Sequence, residues 1–260
     1  MSLEGVERIR LMNVPVDVLS MDQSLDIISN EIERKGHIQH GVINAGKVVS
    51  MQTDPELYDS VCESDMINAD GFGIVWASKK LGRPLPERVA GIDLMQRLIE
   101  LAGEKGYKIF FFGAKEEVVK QVVDRYAGEH GKDIIAGYRN GYYDQNEERG
   151  IAEMIGSSGA DILFVAMSSP KKEYFLHKHQ DVLQSVSFIM GVGGSFDVVS
   201  GKVKRAPMWM QKLGLEGLAR FLQEPKKMWK RFIVDNYKFV MLVLKWRRRG
   251  DGIGEWKGKM

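Results

Sequence analysis

Asp70 sits in the run Asn68-Ala69-Asp70-Gly71-Phe72-Gly73-Ile74-Val75-Trp76, one acid set against two glycines and an apolar segment. A carboxylate held in a loop this way can take a proton from a substrate hydroxyl. The same pattern suits a turn or a helix N-cap, because Asp accepts from open backbone N–H groups and Gly tolerates positive φ. Four other loops carry a different kit: "INAGK", "GYRNGYYD", "SSPKKE" and "GVGGSFD" supply Asn44, Tyr142, Lys171, Lys172 and Asp197. Gly193 and Gly194 let backbone N–H groups approach a ligand. Together these groups suit a nucleotide diphosphate, with cations and helix N-termini for the phosphates and an aromatic and an acid for base or ribose. Taken singly, each loop is also ordinary turn chemistry.

Several chemistries are disfavoured. "GVGGSF" lacks the spacing of a dinucleotide fingerprint, which argues against a nicotinamide-dependent oxidoreductase, and no G-x-x-x-x-G-K-[ST] is present. No Asp-x-Asp offers a carboxylate pair for Mg²⁺ or Mn²⁺. A single cysteine, Cys62, excludes an internal disulfide and fits a reducing compartment. His177 and His179 have the wrong spacing for one helical face, so no metal site is expected. Ser168, Ser169 and Ser195 lack a nucleophile elbow.

The elements that must position these loops alternate along the chain. "RIRLMNVPVDVLS" reads as extended, with Pro15 suited to a strand edge, and "MDQSLDIISNEIERKG" reads as a helix leading to the strand "HIQHGVIN". "GIVWASKKL" and "GIDLMQRLIELAGEKG" carry helical spacing. Apolar strands "KIFFFG", "DIIAGY", "ADILFVAM" and "VSFIMGVGG" then alternate with helices; the first of these helices is expected to close at Gly128. Strands that are apolar throughout indicate a parallel sheet covered on both faces. Residues 1–201 therefore read as a Rossmann-like α/β domain.

Beyond Gly201 the pattern is helical only. "APMWMQKLGLEGLARFLQE" and "PKKMWKRFIVDNYKFVMLVLKWRRR" read as two segments joined at Pro225, and residues 250–260 as a flexible tail. Residues 1–201 hold 21 Lys+Arg against 30 Asp+Glu, whereas residues 202–249 hold 14 against 3. An acidic body with a basic amphipathic appendage points to an anionic surface. Trp229, Phe232, Ile233, Tyr237, Val240, Met241 and Leu244 fall on one helical face, an apolar stripe too short to span a bilayer. No nucleic-acid partner is expected.

At this point a resemblance becomes specific. "INADGFGIVWASKKLGRPLPERVAGIDL", "GAKEEVV", "FVAMSSPKKE", "MGVGGSFDVVSGKVKRAP" and "LGLEGLARFLQEPKK" resemble, in order, the WecG/TagA/CpsF family of bacterial glycosyltransferases. The resemblance implies a Rossmann-like core of the GT-E type. It also implies inverting transfer of a sugar from a UDP-sugar to a polyprenyl-diphosphate-linked saccharide, in the building of surface polysaccharides. Asp70 matches the family's general base and Arg88 an active-site arginine, which could instead be a structural ion-pair partner. Asn44, Tyr142 and Asp197 match positions lining the nucleotide pocket. Arg220, Lys227, Lys230 and Arg231 fall where the family's appendage carries basic residues for the acceptor diphosphate and the membrane.

Two departures bear on the donor. Val42-Ile43-Asn44 stands where many members have Thr-Pro-Asn, and Lys172 where many have Gln. What is expected is thus a metal-independent, cofactor-free enzyme, cytoplasmic and peripheral on the inner face of the plasma membrane. The sugar transferred and the oligomeric state, homo-oligomer included, stay open. A non-catalytic, membrane-anchored nucleotide-binding module is the alternative.

Overall fold

The computed structural model describes residues 3–250 and 252–256; the side chains of Lys212, Lys227 and Arg231 lie outside the described set. Among the described residues nine strands form two sheets: β1 (Arg8–Leu11), β2 (Val14–Asp17), β3 (Ile38–Ile43), β4 (Met66–Ala69), β5 (Ile109–Gly113), β6 (Ile135–Arg139), β7 (Ile162–Ala166), β8 (Phe188–Gly191) and β9 (Ile253–Glu255). The helices of the body are α1 (Met21–Glu33), α2 (Ala45–Met51), α3 (Pro55–Cys62), α4 (Phe72–Leu81), α5 (Gly91–Lys105), α6 (Glu116–His130), α7 (Glu148–Gly156), α8 (Lys171–Lys178), α9 (Gln180–Leu183) and α10 (Ser195–Val199). The appendage carries α11 (Met208–Lys212), α12 (Glu216–Gln223), α13 (Pro225–Trp229) and α14 (Asn236–Arg249), with a π-helical stretch Lys230–Asp235 joining the last two.

The main sheet is parallel, in the order β4-β3-β8-β7-β5-β6. The strands other than the edge strand β6, whose residues are all half-buried, are covered on both faces because alternate residues serve different cores. Ile109 and Phe111 of β5 face α1, α5, α6 and α10, while Phe110 and Phe112 face α7, α8 and α9. The same parity splits Ile162 and Phe164 from Leu163 and Val165 on β7. This is the expected α/β architecture.

The chain differs from the sequence reading in four places. The first extended segment is a hairpin: Met12 and Asn13 both take positive φ, and β1 turns back onto β2. The helix expected to end at Gly128 runs on to His130 and closes at Gly131. The single helix expected after residue 205 breaks at Gly214 (φ +73°), giving α11 and α12. Finally, residues 253–255, within the stretch read as a flexible tail, pair antiparallel with β1; the unsatisfied edge of β1 supplies the ladder. Residues 251 and 257–260 of that stretch lie outside the described residues.

The appendage is built into the body rather than tethered to it. Phe239 and Val243 of α14 are buried in a core shared with α2, α3, α4 and the hairpin, and Leu242 and Trp246 pack against it. No helix among the described residues is long and apolar enough to cross a membrane.

Candidate functional site

β3 leads into α2 and α3 on one face of the sheet, and its neighbour β8 leads into α10 on the other. Adjacent parallel strands whose connections part in this way open a crevice at their carboxyl ends. The loops singled out in the sequence lie along this edge of the sheet. A hollow lined by Leu3, Val6, Arg8, Asp17 and Cys62 to Asp65 lies instead at the amino end of β4, away from these loops.

Asn44 follows β3 and caps α2, accepting from the Lys47 N–H at 3.0 Å. Asp70 follows β4, and its own N–H donates to the Ile43 carbonyl at 2.8 Å, so the two residues leave adjacent strands side by side. Gly71 then takes φ +113°, a conformation that turns the chain directly into α4. Val89 donates to the Ala69 carbonyl at 3.0 Å, which lays the Arg88 loop alongside. A β-carbon at Gly91 would come within 4.0 Å of Asp70 Oδ2. Asp70 is half-buried.

The appendage closes over this point. Gly214 packs against Phe72, and Phe239 lies 3.5 Å from where a Gly73 β-carbon would stand. The Asp235 carboxylate lies 3.5 Å from the corresponding point at Gly46, beside Asn44. The Arg220 guanidinium lies against Gly194, in the loop after β8. Arg88 donates through Nη1 to Glu216 at the start of α12.

Lys172 is buried, and its Nζ lies 2.5 Å from Glu173 Oε1, which Lys47 Nζ also reaches at 2.8 Å. Gly191 leaves room for the Lys172 stem to pass. Burial works to raise the Glu173 carboxyl, but the two lysine charges outweigh it and hold the group down to about 2. Asp197 pairs with Lys202 at 3.3 Å. Tyr142 is exposed, whereas its neighbour Tyr143 packs on Phe112 and Phe175 and carries Lys171 Nζ 4.2 Å over its ring. Lys230 is exposed; the side chains of Lys227 and Arg231 fall outside the described set. Among the described residues no three of His, Cys, Asp and Glu gather as a metal-ligand group.

Sequence reasoning missed Glu216, Asp235, Glu173 and the docking residue Phe239. A signal for the first two was present: only Glu216, Glu224 and Asp235 are acidic between residues 202 and 249. Glu216 meets Arg88, Glu224 lies 3.9 Å from Arg220, and Asp235 reaches the site beside Asn44.

An acid and glycine turns along the carboxyl edge of a parallel sheet, with a basic helical appendage docked beside them, define an α/β protein whose candidate site lies at a topological switch point. Residues 9–252 match the glycosyl transferase WecG/TagA/CpsF family, and the chain belongs to that family. A protein of Bacillus spizizenii (strain ATCC 23059 / NRRL B-14472 / W23), named N-acetylglucosaminyldiphosphoundecaprenol N-acetyl-beta-D-mannosaminyltransferase, is 35% identical over 237 residues, covering 86% of this chain and 90% of that protein. A protein of the same name from Bacillus subtilis (strain 168) is 33% identical over 234 residues, covering 90% of each.

Proposed function

We propose that the protein is an inverting glycosyltransferase. In this reading it moves a sugar from a UDP-sugar to a polyprenyl-diphosphate-linked saccharide at the inner, anionic face of the plasma membrane. The observation that carries it is the placement of Asp70, on the carboxyl edge of the sheet beneath the docked appendage. The names of the two Bacillus relatives support an acceptor of the N-acetylglucosaminyl-diphosphoundecaprenol kind and N-acetylmannosamine as the sugar to test first.

The acceptor hydroxyl oxygen bonds to the anomeric carbon from the face opposite the diphosphate. Its proton passes to the Asp70 carboxylate, and the bonding electrons of the broken C–O bond leave on the β-phosphate of UDP. Arg88, with backbone N–H groups around Gly193 and Gly194, meets the charge that develops there. Lys172 enters this reading indirectly. Buried against Glu173, it shares with Lys47 a net positive charge beneath the strand edge rather than a direct grip on a phosphate. Asn44, Tyr142 and Asp197 frame the nucleotide, and the basic residues Arg220, Lys227, Lys230 and Arg231 of the appendage are assigned to the acceptor diphosphate and lipid. No divalent metal is required.

The exposed apolar residues support the membrane side of the reading. Met208, Trp209, Leu213, Leu222, Trp229, Ile233, Tyr237, Val240, Met241 and Leu244 all belong to the appendage. Among the described residues, only Phe72, Tyr142 and Met154 are exposed large apolar side chains elsewhere. Exposed apolar side chains interleaved with lysine and arginine along these helices suit a lipid interface.

The test is UDP release from a panel of UDP-sugars with a polyprenyl-diphosphate-linked N-acetylglucosamine, assayed in EDTA. Acceptor-dependent UDP release with one donor is the expected result. Nucleotide binding without release from any donor returns the protein to a non-catalytic module.

A further inference from the structure

Four charged side chains alternate in sign at the seam between body and appendage. Arg88 Nη1 donates to Oε2 of Glu216, and Oε1 of that carboxylate lies 3.6 Å from Nε of Arg205. Arg205 in turn donates through Nη2 to Oδ1 of Asp93, whose Oδ2 lies 3.9 Å from Nη2 of Arg88 and closes the ring. Arg88 and Asp93 come from the body, Arg205 and Glu216 from the chain after Gly201. The two arginines and Glu216 keep a quarter or less of their side-chain surface exposed, so they are screened less than a freely exposed pair.

We propose that Glu216 is a positioning residue for sugar transfer: it fixes the direction of the Arg88 side chain, and only when the appendage is docked. This inference rests on the reading of Arg88 as the group that meets the diphosphate charge. The backbone at Arg88 is already held, since Val89 is hydrogen-bonded to Ala69 beside Asp70. What remains free is a long side chain, and an arginine that must stabilise charge in a transition state works best when its plane is set beforehand. Glu216 grips Nη1, which leaves other N–H groups of the fork for phosphoryl oxygens. Arg205 and Asp93 complete the ring, so docking brings the two sides together without an uncompensated charge. Appendage docking and Arg88 orientation thereby become one event.

The experiment uses the full-length chain with Glu216→Gln, which keeps the shape and removes the charge, and Glu216→Asp, which keeps the charge. Glu216→Gln is expected to lower kcat at least tenfold while the acceptor KM changes less than threefold, and Glu216→Asp to recover a third or more of the lost kcat. A bridge that only aids folding would lower both variants' melting temperatures without splitting kcat from KM. A second readout needs no substrate: the rate at which phenylglyoxal modifies Arg88, followed by mass spectrometry. That rate is expected to rise fivefold or more in Glu216→Gln and to stay within twofold of wild type in Glu216→Asp. Unchanged Arg88 reactivity together with unchanged kcat in Glu216→Gln overturns the proposal. Should Glu216→Gln not fold, Asp93→Asn tests the same ring. With Glu216 still in place, Asp93→Asn is expected to leave Arg88 reactivity toward phenylglyoxal within twofold of wild type, and a fivefold rise there would assign the hold on Arg88 to Asp93 and overturn the proposal. A wild type that transfers no sugar defeats the enzymatic reading itself, while Arg88 reactivity still reports whether Glu216 holds it.

Discussion

The Arg220 guanidinium lies across Gly194, so close that a β-carbon on that glycine would overlap both terminal nitrogens. Gly194 takes φ −84°, which any residue adopts, so glycine serves here to admit the arginine rather than to make a turn. Gly194→Ala is therefore expected to leave the fold intact and push Arg220 off the loop after β8. Transfer at subsaturating acceptor should fall about tenfold, the effect of losing one charged contact to the acceptor diphosphate. In a double variant with Arg220→Ala the losses should not add, because both remove the same contact. Kinetics and melting temperature of the three variants check this. Additive losses would separate Gly194 from Arg220.

The apolar face of the appendage predicts a membrane response. Trp209 and Trp229 are 60% and 54% exposed and belong to a residue type that favours the lipid interface. Full-length protein should float with vesicles containing anionic phospholipid, and binding should weaken between low and physiological salt. Trp209→Ser with Trp229→Ser should cut partitioning about tenfold without changing UDP affinity. Absence of flotation on anionic vesicles at low salt would contradict the peripheral reading.

Acid should loosen the protein through His40. This side chain is buried, and burial, with the Lys47 charge adding to it, pushes its pKa down from the ordinary 6.5 to about 4 despite a 2.8 Å hydrogen bond to Asn68. The native state thus binds fewer protons than the unfolded chain between those values, so stability falls as pH drops from about 6.5 to about 4. Glu173, held down at about 2, extends the loss below about 4.5. Urea midpoints at pH 7, 5.5 and 4.5 should decline, and His40→Gln should flatten the upper part of that decline. An unchanged slope in His40→Gln would remove His40 from the account.

Much of the architecture was legible because it rests on local pattern. The continuous apolar runs at residues 109–113 and 162–166 can only be strands covered on both faces, and they are. The loops carrying Asn44 and Asp70 could be placed at strand ends for the same reason. What was not legible depends on partners distant in sequence. β9 needs the open edge of β1, some 240 residues away, before it has a ladder to join. Phe239 and Val243 look like part of an amphipathic helix until α2 and α4 supply the surface that buries them. Lys172 reads as an exposed phosphate ligand by its loop, yet the glycine at 191 lets it turn inward to Glu173. Arg88 gave no sign of Glu216, 128 residues further on.

As the base, Asp70 must accept the proton of the acceptor hydroxyl, and Asp70→Asn in the full-length chain takes away that capacity alone. The substitution keeps size and hydrogen-bonding reach while removing the proton acceptor. Sugar transfer to a polyprenyl-diphosphate-linked acceptor should fall about 10²-fold or more in kcat, with UDP affinity by calorimetry within threefold of wild type. Turnover close to wild type would contradict the account and leave Asp70 as the residue that turns β4 into α4.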